Sequence, residues 1–173
     1  MADNYTEFSE VIPKLNEKEE VWLKEHLEIV YIFGEEEYTD STLPEDRSSD
    51  EADWVGCRVF RDLEDYGCSA GADAGFQYEF CDSGVSEDYG RHLWLYAQDW
   101  GYVDNAVNLI QKFLQAFRPN DCWSLTWSTT CSKPRAGEFG GGAVFVTTER
   151  VEHQDTWAFV EEQREAFNTV VEG

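Results

Sequence analysis

A chain of 173 residues in which 36 Asp and Glu outnumber 13 Lys and Arg, for a formal net charge of −23, repels nucleic acid, phosphorylated substrates and anionic lipid. A hydrophobic content of 42%, with 11 Phe, 8 Tyr and 7 Trp, excludes an intrinsically disordered acidic chain. At this length one domain, spanning 1–173, buries roughly 70% of its unfolded surface and needs no covalent staple.

The start, Met1 to Glu10, carries Asp3, Glu7 and Glu10 and has neither a basic region nor an apolar stretch of the secretory kind. Ile29 to Phe33 is the longest strongly apolar run and is far too short to span a bilayer. A cytoplasmic protein without membrane contact is therefore expected. Its five cysteines, Cys57, Cys68, Cys81, Cys122 and Cys131, are then reduced by default.

In chain order, Asn16 followed by Glu19 forms a capping box, and Leu23, Leu27 and Val30 continue at helical spacing towards Gly34, which predicts a helix over about 16–31. Glu35 to Asp53 follows, nineteen residues with nine acids, one Arg and Pro44, and reads as an exposed acidic loop. From Trp54 the pattern turns to short alternating runs. Val55, Cys57 and Val59 form one, Phe76, Tyr78 and Phe80 a second, and Leu93 and Leu95 against Trp94 and Tyr96 a third. The turn-rich link Asp82 to Gly90 predicts an antiparallel hairpin between the last two.

Val103, Val107, Ile110, Leu114 and Phe117 recur at helical intervals, with Asp104 placed as a cap and Pro119 blocking continuation. Beyond them Trp123, Leu125 and Trp127 alternate with small hydroxyl residues, and Ala143 to Thr147 is a second β-favouring run, so the pair predicts a hairpin with a loop over about 132–139. A last helix over about 155–168 places Trp157, Val160, Arg164 and Phe167 along one side. The order of helices and strands predicts an α+β domain: an antiparallel sheet of about five strands with helices at about 16–31, 104–117 and 155–168 packed mainly on one face.

No catalytic signature stands out. Cys57, Cys68, Cys81 and His92 are zinc-competent, but their intervals of 11, 13 and 11 residues lack the tight pair that presents two thiolates to one ion, so no metal is expected. Gly137-Glu-Phe-Gly-Gly-Gly142 lacks the Lys, the Ser or Thr and the helix of a phosphate loop, and reads as a hairpin loop. Lys133 and Arg135 in that loop could hold a small anion, although Glu138 can pair with one of them. Cys122 and Cys131, if placed across a hairpin, could form a reversible disulfide. His92 can face Cys81 across the earlier hairpin. No calcium loop is present, no cofactor is implied, and Trp100 reads either as core or as an exposed anchor for a partner.

The location of the acid is the more informative signal. Residues 1 to 104 hold 27 Asp and Glu against 7 Lys and Arg, whereas residues 105 to 173 hold 9 against 6. Adaptation to high salt would spread the charge more evenly. Glu35 to Asp53 alone has a net of −8, which at helical rise would place one charge per ~3.5 Å, near the 3.4 Å of a single DNA strand. Extended, the same segment would give only about one per 8 Å, so density near that of DNA requires compaction beside the first helix and its Glu17, Glu19, Glu20, Glu25 and Glu28. In bulk charge the chain resembles the acidic DNA-mimic inhibitors that act against restriction and CRISPR systems, and the acidic immunity proteins that block basic nuclease toxins; no motif carries this resemblance and it transfers no residue.

These observations predict a non-enzymatic acidic binding protein that engages a basic protein surface, such as that of a nuclease or other nucleic-acid-binding protein, without binding nucleic acid itself. The expected contact residues are Glu28, Glu35, Glu36, Glu37, Asp40, Glu45, Asp46, Asp50, Glu51 and Asp53. The alternative is a small enzyme or ligand-binding domain with a site near Cys81, His92 and the Lys133 to Gly142 loop.

Overall fold

The computed structural model describes residues 3–33, 36–39, 42–45, 56–57, 74–82 and 88–172. The elements run β1 (Asn4–Ile12), α1 (Glu17–Leu27), β2 (Ile29–Phe33), β3 (Glu36–Tyr38), β4 (Gly56–Cys57), β5 (Gln77–Cys81), β6 (His92–Ala97), α2 (Val103–Phe117), β7 (Trp123–Cys131), β8 (Gly140–Val146), β9 (Val151–Asp155) and α3 (Thr156–Glu172). The α+β architecture is as expected. The main antiparallel sheet has six strands rather than about five, in the order β5-β6-β1-β7-β8-β9, and a separate three-stranded sheet is ordered β3-β2-β4.

Four of the five expected strands lie in the main sheet, whereas the described part of the Val55 to Val59 run, Gly56–Cys57, belongs to the smaller one; the other two strands of the six are elements that hydropathy alone does not reveal. Asn4–Ile12 is central, pairing with β6 on one side and β7 on the other. Its Tyr, Thr, Phe, Val and Ile favour extended backbone, but Glu7 and Glu10 interrupt the apolar pattern. Val151–Asp155 is one of the two edge strands, antiparallel to β8. Both expected hairpins, β5–β6 and β7–β8, form antiparallel pairs.

The first helix is shorter than predicted. It stops at Leu27, with Glu28 already extended at φ −71° and ψ 132°, because Ile29-Val-Tyr-Ile-Phe33 is a β-branched and aromatic run that pairs as a strand. Val30 therefore belongs to β2 and not to the helical stripe. The capping box at its other end is present: Asn16 Oδ1 accepts from the Lys18 and Glu19 amides, and Glu19 Oε2 accepts from the Asn16 amide. In α2 the cap position is Tyr102, which makes no side-chain cap, and Asp104 lies inside the first turn, where its charge complements the helix dipole.

Helices α1 and α2 cover one face of the sheet. Leu23, Leu27, Ala106, Val107, Leu109, Ile110, Phe113 and Leu114 bury against Phe8, Ile12, Leu93, Leu95, Leu125, Val144 and Val146. Trp22 bridges the two helices through ring contacts with Phe113 and Phe117. The last helix differs. It touches β8 and β9, yet Trp157 is 49% and Phe167 67% exposed, so the predicted apolar side lies outside the core.

The Gly-rich run has a packing explanation. A Cβ on Gly142 would lie 2.4 Å from the Trp127 ring, and Gly141 adopts φ +144° with its Cβ position 2.2 Å from the Trp127 carbonyl. Gly142 thus leaves room for an indole and Gly141 for a close backbone approach, and both lie in β8, which begins at Gly140 within the run expected as a hairpin loop.

Two ion pairs fasten the helix layer. Glu19 and Glu20 are only 4% and 5% exposed. Arg118, just past α2, donates from Nε to Glu19 Oε1 at 2.7 Å and from its terminal nitrogen to Glu19 Oε2 at 3.0 Å and the Pro13 carbonyl at 3.0 Å. Arg91, just before β6, makes a second two-pronged contact with Glu20, with Lys24 alongside. Removing one partner leaves a buried charge uncompensated. Arg118→Ala is therefore expected to lower unfolding free energy by roughly 3 kcal/mol at pH 7, measured by urea denaturation; a loss below about 1 kcal/mol would show that the pair does not clamp the helices.

Candidate functional site

Of the ten expected contact residues, Glu35, Asp40, Asp46, Asp50, Glu51 and Asp53 lie outside the described residues. Glu36 and Glu45 are exposed, and Glu36 accepts a hydrogen bond from the Tyr38 hydroxyl at 2.7 Å. Glu37 pairs through its backbone with Ile32, which places the beginning of the expected acidic loop in a strand. Glu28 is half-buried at the end of α1.

The first helix contributes less acid than its composition implies. Burial would raise the Glu19 carboxyl, but the hydrogen bond and charge of Arg118 and the Asn16 amide outweigh it and leave it lowered. The Glu20 carboxyl is held at about 2, chiefly by the hydrogen bond from Arg91 and then by that from Lys24. Both are internal and charge-compensated, so only Glu17 and Glu25 are fully on the α1 surface, beside Lys18 and Lys24. The expectation that all these acids join one polyanionic face is corrected for Glu19 and Glu20.

The alternative site is divided. Cys81 and His92 are register partners in β5 and β6, confirming their proximity. However, Ile12 lies opposite Leu93 whereas Asn4 lies opposite Cys131, so the 132–139 loop is about 26 Å away along β1. The Cys81 thiol is pushed up by burial, then by Glu79 and Asp82, which disfavours the nucleophilic thiolate. His92 is 3% exposed, with Nδ1 2.8 Å from the Gly90 carbonyl oxygen. In the loop, Arg135 pairs with Glu138 at 3.5 Å, and Glu138 accepts from the Cys131 thiol at 2.7 Å.

Cys122 and Cys131 do not face each other across a hairpin. Cys122 immediately precedes the nine-residue strand β7 and Cys131 ends it, which puts them roughly 30 Å apart, far beyond the reach of a disulfide. Among the described residues no group of three or more His, Cys, Asp or Glu is placed to hold a metal ion, and no helix is long and apolar enough to cross a membrane.

The sheet face opposite α1 and α2 holds a different feature. Strand register puts Glu7, Ser9 and Val11 of β1 on this face with Trp94 and Tyr96 of β6 and Glu79 of β5. The Trp94 and Tyr96 rings stack at 4.1 Å, and Trp94 Nε1 donates to Ser9 Oγ at 2.9 Å. Small Ser9 and Ser128 beside this aromatic wall leave an open groove of about 360 Å³, lined also by Glu7 and Gln98. None of the six strands of the main sheet contains Lys or Arg.

Two residues beyond Gln98, Trp100 is 73% exposed, which decides between its two readings in favour of the exposed one. Hydropathy could not find the groove, because it arises from cross-strand neighbours more than 80 residues apart. Comparisons with protein-family models, curated proteins and solved structures find no match.

The Glu20 pair has a pH signature. Its folded pKa lies below the ordinary value, so its stabilisation is complete above about 4.5 and is lost as pH falls from there through about 2. Urea denaturation across pH 7 to 2 is expected to show Glu20→Gln less stable than wild type at pH 7, with the difference shrinking towards zero near pH 2. A difference independent of pH would contradict the ionic origin.

Proposed function

We propose that this chain is a non-enzymatic acidic binding protein that engages a basic protein surface, of the type presented by nucleases and other nucleic-acid-binding proteins, and so occludes a nucleic-acid site. The charge distribution carries this reading. With the ion pairs Glu19–Arg118 and Glu20–Arg91 set aside as compensated within the fold, residues 1 to 104 still hold a net of −19, against −4 for the remainder. At physiological salt the Debye length is about 8 Å, so neighbouring surface carboxylates act together on an approaching basic groove and raise its rate of encounter. The contact surface in this reading is Glu35 to Asp53 with Glu28. An exposed Trp100 and the acidic aromatic groove add the kind of anchor that charge alone lacks.

Affinity capture from the native host's lysate at about 0.15 M salt tests it, with bound proteins identified by mass spectrometry. The wild type is expected to recover a basic nucleic-acid-binding protein, and the variant carrying Glu35→Gln, Glu36→Gln and Glu37→Gln is expected to recover it at least about fivefold less. Equal recovery by both, or recovery of no basic protein, would overturn the reading.

A further inference from the structure

The groove over β1 combines three properties that select one ligand chemistry. Its wall is fixed: alternation on β6 turns Trp94 and Tyr96 to the same face, their stacking holds the rings together, and the Ser9 hydroxyl pins the indole. Its charge is a carboxylate. Glu7 is exposed, and the Ser128 hydroxyl at 3.4 Å uses one of about four acceptor positions. Its surroundings favour cations, with no Lys or Arg in any strand of the sheet.

An aromatic wall beside a carboxylate suits a planar cation. A guanidinium stacks on the ring surfaces and offers a two-pronged donor edge to the carboxylate, whereas an ammonium is a compact, strongly hydrated point charge. The groove is an open trough and not an enclosed cavity, and beyond Gln98 the chain continues to the exposed Trp100. That shape suits a side chain presented by a protein. A free small cation would gain little from it.

We infer that the groove formed by Glu7, Ser9, Trp94, Tyr96 and Gln98 receives an arginine side chain of the basic partner, with Glu7 as its carboxylate and Trp100 as an adjoining anchor. This rests on the proposed binding function and adds a contact independent of Glu35 to Asp53.

Titration of the ¹⁵N-labelled full chain with acetyl-tetra-arginine amide at about 0.05 M salt, following the Trp94 indole N–H resonance by NMR, tests it. The resonance is assigned by its loss in Trp94→Phe. A saturable shift is expected, with acetyl-tetra-lysine amide binding about fivefold more weakly and the neutral sugar cellotetraose producing no shift. Glu7→Gln is expected to weaken tetra-arginine binding about tenfold and Trp100→Ala, at an exposed position that folding does not need, about threefold. The Glu35, Glu36, Glu37 triple Gln variant, which leaves every residue lining the groove unchanged, should titrate at Trp94 within about twofold of wild type. An unmoved Trp94 resonance, unchanged affinity in both Glu7→Gln and Trp100→Ala, or a shift produced by the sugar would overturn the inference. If lysate capture still depends on the triple substitution in that event, the binding function stands and only the arginine groove fails; if capture fails while Trp94 titrates as expected, the reverse holds.

Discussion

The two-pronged contacts between adjacent Glu19 and Glu20 and the arginines Arg118 and Arg91 are the constraint on which the rest of the architecture depends. Successive residues on a helix point about 100° apart, so the pair reaches in two directions: Glu19 to the end of α2 and Glu20 to the start of β6. Glu19 also closes the capping box of its own helix. One short segment thereby sets where α1 begins, how it meets α2, and how both sit over the sheet. The arginines bring more than charge, since Arg118 also donates to the Pro13 carbonyl and lies over the Phe113 ring.

Holding both helices on one face leaves the other face of the sheet without a helix from α1 or α2, and that asymmetry generates the candidate site. A strand buried on both faces would carry an apolar run, whereas β1 alternates Glu7 and Ser9 outward with Phe8 and Ile12 inward. The same alternation gives β6 two buried leucines on one side and a stacked Trp94–Tyr96 pair on the other. The described acids thus differ in their surroundings: Glu10, on the same side of β1 as Phe8 and Ile12, is half-buried and its carboxyl is pushed up by burial, offset in part by a hydrogen bond with the Thr126 backbone. Glu19 and Glu20 are internal and structural, each matched to a fixed guanidinium. Glu7, Glu79 and Glu36 are exposed, and their field is available to a partner.

Much of the helical layer was legible because its signals are local. The stripe from Val103 to Phe117, the Asn16–Glu19 capping box and the stop at Pro119 each lie within one or a few turns. Both hairpins were legible for the same reason. The central strand was not, since its partners are more than 80 residues away and its acids mask the alternation. Burial of Glu19 and Glu20 was equally hidden, because only tertiary structure brings Arg91 and Arg118 to them. Their glutamates then looked like part of a solvated acidic face. The end of α1 was misjudged at Val30, where β propensity overrides helical spacing. Trp100 is the instructive residue among the aromatics, because aromatic composition favours a core position and only the turn between β6 and α2 puts it in solvent.

An acidic surface that stands in for a polyanion has to share its target's basic surface with nucleic acid. The most direct test is competition at about 0.15 M salt between this protein and a short duplex DNA for the same captured basic partner, read by fluorescence anisotropy of the labelled DNA. Mutually exclusive binding is predicted, with the DNA released stoichiometrically as the protein is added and the apparent affinity of each ligand falling in proportion to the concentration of the other. A ternary complex in which the DNA remains bound at saturating protein would contradict occlusion of a nucleic-acid site.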